Sequence, residues 1–202
     1  MYKKKKKLKI ASWNVGRKVN AVDAMNIKQY MKDKDLDILL LQETAHAEED
    51  VGKLVRLFQG KYSYWSNDPY KKGVGQGVGI ITNENIIGKT IKMVPGYLFG
   101  IEIRGKKSCQ IFNLYHSKTS IKYNERIDII QKKIKEEIGK INSRSILGGD
   151  FNENLNGRLI QYMLNKEWKA EYKHGKDYTY ISGDHKTFID HFLSLETNTY
   201  NG

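Results

Sequence analysis

The chain is poor in residues that staple, break or span. Cys109 is its one cysteine, so no internal disulfide can form, and a reducing, intracellular setting is expected. Only Pro69 and Pro95 interrupt 202 residues, and no Pro/Ser-rich linker divides them. One domain is therefore expected at 9–202, behind a basic tail at 1–8. The longest apolar run, Ile38 to Leu41, has strand length rather than bilayer-spanning length, so no membrane partner is expected. No apolar segment follows the N-terminal lysines, so they do not read as a secretory signal, and cytoplasm or nucleus is the expected location. Acidic residues are also scarce. Against 35 Lys and Arg stand 23 Asp and Glu, giving a formal net charge of +12 and a pI near 9.5. Lys3 to Lys7 plus Lys9 supply six of those charges, and 12 − 6 leaves +6 on the remainder. A body that stays basic without its tail favours polyanionic partners, nucleic acid first.

What is present suits a globular fold, at 39% hydrophobic and 29% charged residues. Strands are predicted at Lys9–Val15, Asp37–Gln42, Tyr62–Trp65, Gly77–Thr82, Ile86–Val94, Tyr97–Ile103, Cys109–Tyr115 and Ser145–Leu147. Two more are predicted at Tyr178–Ile181 and Thr187–Leu193. Helices are predicted at Ala21–Lys34, Glu48–Phe58, Ile121–Ile141 and Arg158–Lys166. The third carries isoleucines at 127, 130, 134, 138 and 141, the +3 and +4 spacing of one buried face. Helix and strand alternate at both ends around a run of strands, which predicts two packed sheets with helices outside.

Polar groups cluster at the strand ends. Asn14 closes the first strand, Glu43 follows the second, and Tyr115 and His116 end the strand before the long helix. "ILGGDFNE" sets Asp150 and Asn152 two residues apart, a spacing that can put both side chains on one face. The two glycines before them would let a ligand approach the backbone closely. Asp190 stands inside the apolar run "TFIDHFL", where an unpartnered carboxylate would cost several kcal/mol.

In this order, "IASWNVG", "DILLLQET", "GVGIIT", "FNLYHS", "ILGGDFNE" and "YTYISGDHKTFIDHFL" resemble the endonuclease/exonuclease/phosphatase superfamily. The resemblance covers nearly the whole chain and looks nearest to the LINE-type retrotransposon and apurinic/apyrimidinic branches. It implies a deoxyribonuclease I-like, four-layered α/β sandwich of mostly antiparallel sheets. It also implies an endonuclease hydrolysing DNA or other nucleic acid, working as a monomer or within a larger polypeptide. Mg²⁺ would be its cofactor, with Mn²⁺ as the alternative.

Carried over residue by residue, the resemblance makes Glu43 the principal metal ligand, with Asn14 accessory. Asp150 would orient or deprotonate the attacking water, and Asn152 would donate to a phosphate oxygen. The strand "FNLYHS" offers two registers: counting from Asn113 selects Tyr115, counting from His-Ser selects His116. Adjacent strand residues face opposite ways, and the first count favours Tyr115. Asp190 matches the carboxylate that orients a catalytic histidine. The Ser-Asp-His motif and last strand that supply this histidine do not follow it: 202 − 190 leaves 12 residues without them. His191 neighbours Asp190 and should face away, "GDH" at 183–185 reads as a turn, and His46 and His174 have no motif support. Two other readings follow: a catalytically impaired nucleic-acid binder, or a phosphatase for small phosphorylated substrates.

Overall fold

The computed structural model describes residues 8–58, 62–67, 76–104, 108–117, 123–137, 144–171, 180–182, 185–187 and 189–196. One sheet contains β1 (Ile10–Asn14), β2 (Ile38–Gln42), β3 (Ser63–Ser66) and β4 (Val78–Thr82), in the order β1-β2-β4-β3. The second contains β5 (Gly88–Val94), β6 (Leu98–Ile103), β7 (Cys109–Tyr115), β8 (Arg144–Asp150), β9 (Lys169–Ala170) and β12 (Asp190–Glu196). Its order is β5-β6-β7-β8-β12-β9, while β10 (Tyr180–Ser182) and β11 (His185–Thr187) pair separately. The pairs β1–β2 and β7–β8 are parallel and the others antiparallel. The helices are α1 (Ala21–Asp33), α2 (Val51–Leu57), α3 (Tyr123–Glu137) and α4 (Arg158–Leu164).

Alternation along β2 builds the layers. Leu39 and Leu41 point to α1 and α2, packing with Ala24, Ile27 and Leu54. Ile38 and Leu40 point the other way, onto Phe99, Ile101 and Ile111 of the second sheet. The far face of that sheet, through Phe112, Leu114, Leu147 and Leu193, meets Ile130 and Ile134 of α3 and Leu159, Ile160 and Met163 of α4. Three apolar cores thus hold four layers in helix–sheet–sheet–helix order, the predicted α/β sandwich.

Several boundaries differ from expectation. A single 3₁₀ turn at Glu48–Asp50 precedes α2, and the stretch predicted as one strand from Thr187 divides into β11 and β12. The short β9 was not expected, since two residues carry no periodicity. Of the helix predicted at 121–141, residues 121–122 and 138–141 lie outside the described residues, as do Gly183, Asp184 and His174. The larger correction concerns β8, which runs through both glycines to Asp150. A Cβ on Gly148 would meet the Phe192 ring at 2.4 Å, and one on Gly149, at φ +137°, would strike the Leu114 carbonyl oxygen at 2.1 Å. The room left by the missing side chains is filled by protein, so these glycines serve close packing and not ligand approach.

Candidate active site

The two sheets bring their polar strand ends to one place. Leaving β1, the amide nitrogen of Asn14 donates to Glu43 Oε1 at 2.9 Å and to Asp150 Oδ2 at 2.8 Å. Its own oxygen accepts the Gly16 N–H at 3.0 Å, which fixes the direction of the amide. Asp150 Oδ1 accepts the backbone N–H of Asn152 at 2.9 Å, a local Asx turn. Both oxygens of this buried carboxylate are therefore aimed by named donors. Glu43 and Asn152 lie in the left-handed backbone region, with φ of 53° and 50°. That conformation is uncommon outside glycine, and for Glu43 it turns the chain sharply as β2 ends.

Strand register completes the row. Tyr115 on β7 pairs with Asp150 on β8, and Asp150 pairs with Asp190 on β12, so all three face the first sheet. The Tyr115 phenol is buried, and its pKa is pushed above the ordinary tyrosine value. Burial is the main cause; a hydrogen bond with the Ser117 side chain opposes it, while the charge of Glu43, a hydrogen bond with its carboxylate and the charge of Asp150 reinforce it. Tyr115 thus remains a neutral donor beside two carboxylates.

Among the described residues, His116, His191 and His46 lie elsewhere. His116 is fully buried on the opposite face, with Nδ1 3.3 Å from the Phe151 carbonyl oxygen and 3.9 Å from Glu153 Oε1. Pleat alternation sends it there, away from the face that Tyr115 shares with Asp150. His191 donates from Nε2 to the Glu153 carbonyl at 2.7 Å and packs edge-on to Phe151. His46 accepts the Val19 N–H at 3.0 Å.

Oxygen donors dominate the cluster, and one neutral amide bridges its two carboxylates. Two negative charges sharing one amide fit a hard divalent cation of the magnesium or manganese type. Among the described residues no group of three or more His, Cys, Asp and Glu is placed to hold a metal. A magnesium ion does not need one, since it keeps several waters and takes further oxygens from phosphate.

From the sequence, Gln42 and Asn113 have places on strands but no supporting role. Gln42 donates to Asn113 Oδ1 at 2.7 Å, and Asn113 donates to the carbonyls of Leu41 and Gly79, each at 2.8 Å. Ser12 donates to Gln42 Oε1 at 3.1 Å, so a buried polar chain joins the sheets directly below the cluster. A polar residue within each apolar strand, Gln42 and Asn113, was the available signal.

The profile of the Endonuclease/Exonuclease/phosphatase family matches residues 11–194. The chain is similar in structure to an AP endonuclease from Archaeoglobus fulgidus, with a TM-score of 0.68 and 18% identity over 93% of this chain and 86% of that one. It is similar to the endonuclease domain of TRAS1, a telomere-specific non-LTR retrotransposon, with a TM-score of 0.65 and 13% identity, covering 93% and 84%. A third similar structure is the 3' phosphatase NExo from Neisseria bound to a product DNA hairpin, with a TM-score of 0.66 and 17% identity, covering 93% and 86%. No curated protein sequence matches this chain.

Proposed function

Because this chain belongs to the endonuclease/exonuclease/phosphatase family, we propose that it is a Mg²⁺-dependent endonuclease hydrolysing phosphodiester bonds in DNA or another nucleic acid. The observation that carries this reading is the Asn14 amide bridging Glu43 and Asp150 beside the protonated Tyr115. The basic balance of the chain supports a polyanionic substrate, since phosphate contacts dominate affinity for nucleic acid.

Glu43, with Asp150 adjoining it, would hold the cation, and Asn14 would keep the two carboxylates at a fixed separation. When bound, the metal would neutralise charge on the phosphate oxygens. Asp150, held by Asn14 and the Asn152 N–H, would orient the attacking water and take its proton as the water oxygen bonds to phosphorus. The bridging P–O bond would break, and its departing oxygen would take a proton from solvent. The neutral hydroxyl of Tyr115 would donate to a phosphate oxygen, where negative charge grows during attack. Asn152 would donate its carboxamide to the same group, and Asp190 would add a further carboxylate to the row. His116 has no part in this scheme, since it is buried on the opposite face of the sheet.

Nicking of supercoiled plasmid tests the proposal. Cleavage is expected with Mg²⁺, and none is expected with EDTA or in Glu43→Ala. Cleavage that survives both controls refutes the mechanism. Salt-sensitive DNA binding without turnover under any divalent metal would instead identify a nucleic-acid binder. Release of phosphate from inositol phosphates, with plasmid untouched, would identify a small-molecule phosphatase.

A further inference from the structure

Arg126 has no place in that scheme, yet it lies on the buried stripe of α3, four residues before Ile130 and eight before Ile134. Only 8% of it is exposed. A dehydrated guanidinium needs partners, and two of those of Arg126 lead to Tyr115. The guanidinium carbon sits 4.0 Å from the ring centroid of Tyr97, and Nη1 donates to the Ser117 carbonyl at 3.4 Å. Tyr97 precedes β6, one pair beyond the Leu98–Leu114 register, so it stands opposite Tyr115. The two tyrosine rings are parallel within 5° at 6.3 Å, and the Tyr97 carbonyl accepts the Tyr115 N–H at 2.8 Å. Ser117, the other residue that Arg126 grips, follows Tyr115 by two residues, and its side chain, like that of Glu43, reaches the Tyr115 hydroxyl.

We propose that Arg126 is a positioning residue for Tyr115, clamping the ring that lies beside it and the backbone two residues beyond it. The planar guanidinium suits this task because it stacks on an aromatic face while donating in its own plane. A lysine keeps the charge but cannot do both.

The kinetic part of the inference rests on the nuclease reading; the conformational part does not. The test therefore uses two readouts on Arg126→Met and Arg126→Lys. The first is the Tyr115 ring signal in protein labelled with ¹³C-tyrosine, without substrate, identified by its loss in Tyr115→Phe. It should move in both variants. The second is plasmid nicking, where kcat should fall by up to about 100-fold, the scale of a misplacement of about 1 Å, with KM unchanged. Added to Tyr115→Phe, Arg126→Met should cause no further loss. An unmoved ring signal overturns the inference even if the wild-type protein proves inactive, a result that would sink only the nuclease reading. A raised KM, full activity in Arg126→Lys, or an equal loss in the Tyr115→Phe background would each overturn it too. Should Arg126→Met fail to fold, Arg126→Lys carries both readouts.

Discussion

Two carboxylates from different sheets share the single amide of Asn14, which donates 2.9 Å to one and 2.8 Å to the other. Replacing that amide by a carboxylate, Asn14→Asp, exchanges a shared donor for a third negative charge. Without metal the variant should lose about 1–3 kcal/mol, the cost of removing the donor that Glu43 and buried Asp150 share, with like-charge repulsion added. Magnesium should restore much of that loss, because an ion bound only by the folded state stabilises it. Thermal melts in EDTA and in Mg²⁺ check this without measuring activity. Equal melting temperatures in the two buffers would contradict a cation at this cluster. Tyr115 shows the opposite use of the same environment. Burial and two neighbouring negative charges keep its proton in place, so it serves as a neutral donor beside the carboxylates.

Among the elements, β8 shows most clearly what sequence patterning can and cannot convey. Its apolar residues mark a strand and Asp150 marks a site, but the glycines between them read as room for a ligand, which the structure overturns. An absent Cβ looks the same in sequence whether a phosphate or a neighbouring ring fills the gap. Register decides it: Gly148 faces Phe192, and Gly149 abuts the Leu114 backbone. Gly149→Ala should therefore cost more than about 4 kcal/mol, because backbone cannot yield and φ +137° disfavours any side chain. Gly148→Ala, pressing on a ring that can shift, should cost about 1–3 kcal/mol. Urea denaturation of the pair checks the order. Two buried histidines, His46 on a loop and His191 on β12, make a second prediction. Burial lowers the pKa of His46 and His191 below 6.5; the charge of Lys18 assists at His46, while Glu153 opposes at His191. The folded state then binds fewer protons than the unfolded one. Stability is complete above the unfolded value of about 6.5 and is lost as the pH falls below it. Protonating His46 at Nε2 also removes the acceptor for Val19 N–H, which anchors the loop leading from Asn14 into α1. Unfolding free energies at about pH 8, 6.5 and 5 should be flat and then falling, with a shallower fall in His46→Gln and His191→Gln.

Across the whole molecule, the candidate site exists only while the two sheets stay in register. The first sheet supplies Asn14 and leads into Glu43; the second supplies Tyr115, Asp150 and Asp190. Local patterning displayed each of these residues, because strand periodicity and strand ends are properties of neighbours along the chain. It could not display the contacts that join them, which span 136 residues for Asn14 and Asp150 and 71 for Gln42 and Asn113. Apolar packing between the sheets is non-directional and tolerates small slips. The amides of Gln42 and Asn113 are directional, and both are fully buried one or two residues from Glu43 and Tyr115. They act as the bolt that sets the relative position of the two half-sites. Asn113→Leu preserves volume but strands the Gln42 amide, at a cost of about 1–3 kcal/mol. Ile111→Val, in the same inter-sheet layer, costs about 0.5–1.5 kcal/mol without touching the bolt. If polar register holds the site together, Asn113→Leu should lower plasmid nicking well beyond what its fraction of folded protein explains. Ile111→Val should leave turnover per folded molecule unchanged. Equal turnover per folded molecule in the two variants would mean that apolar packing alone aligns the half-sites.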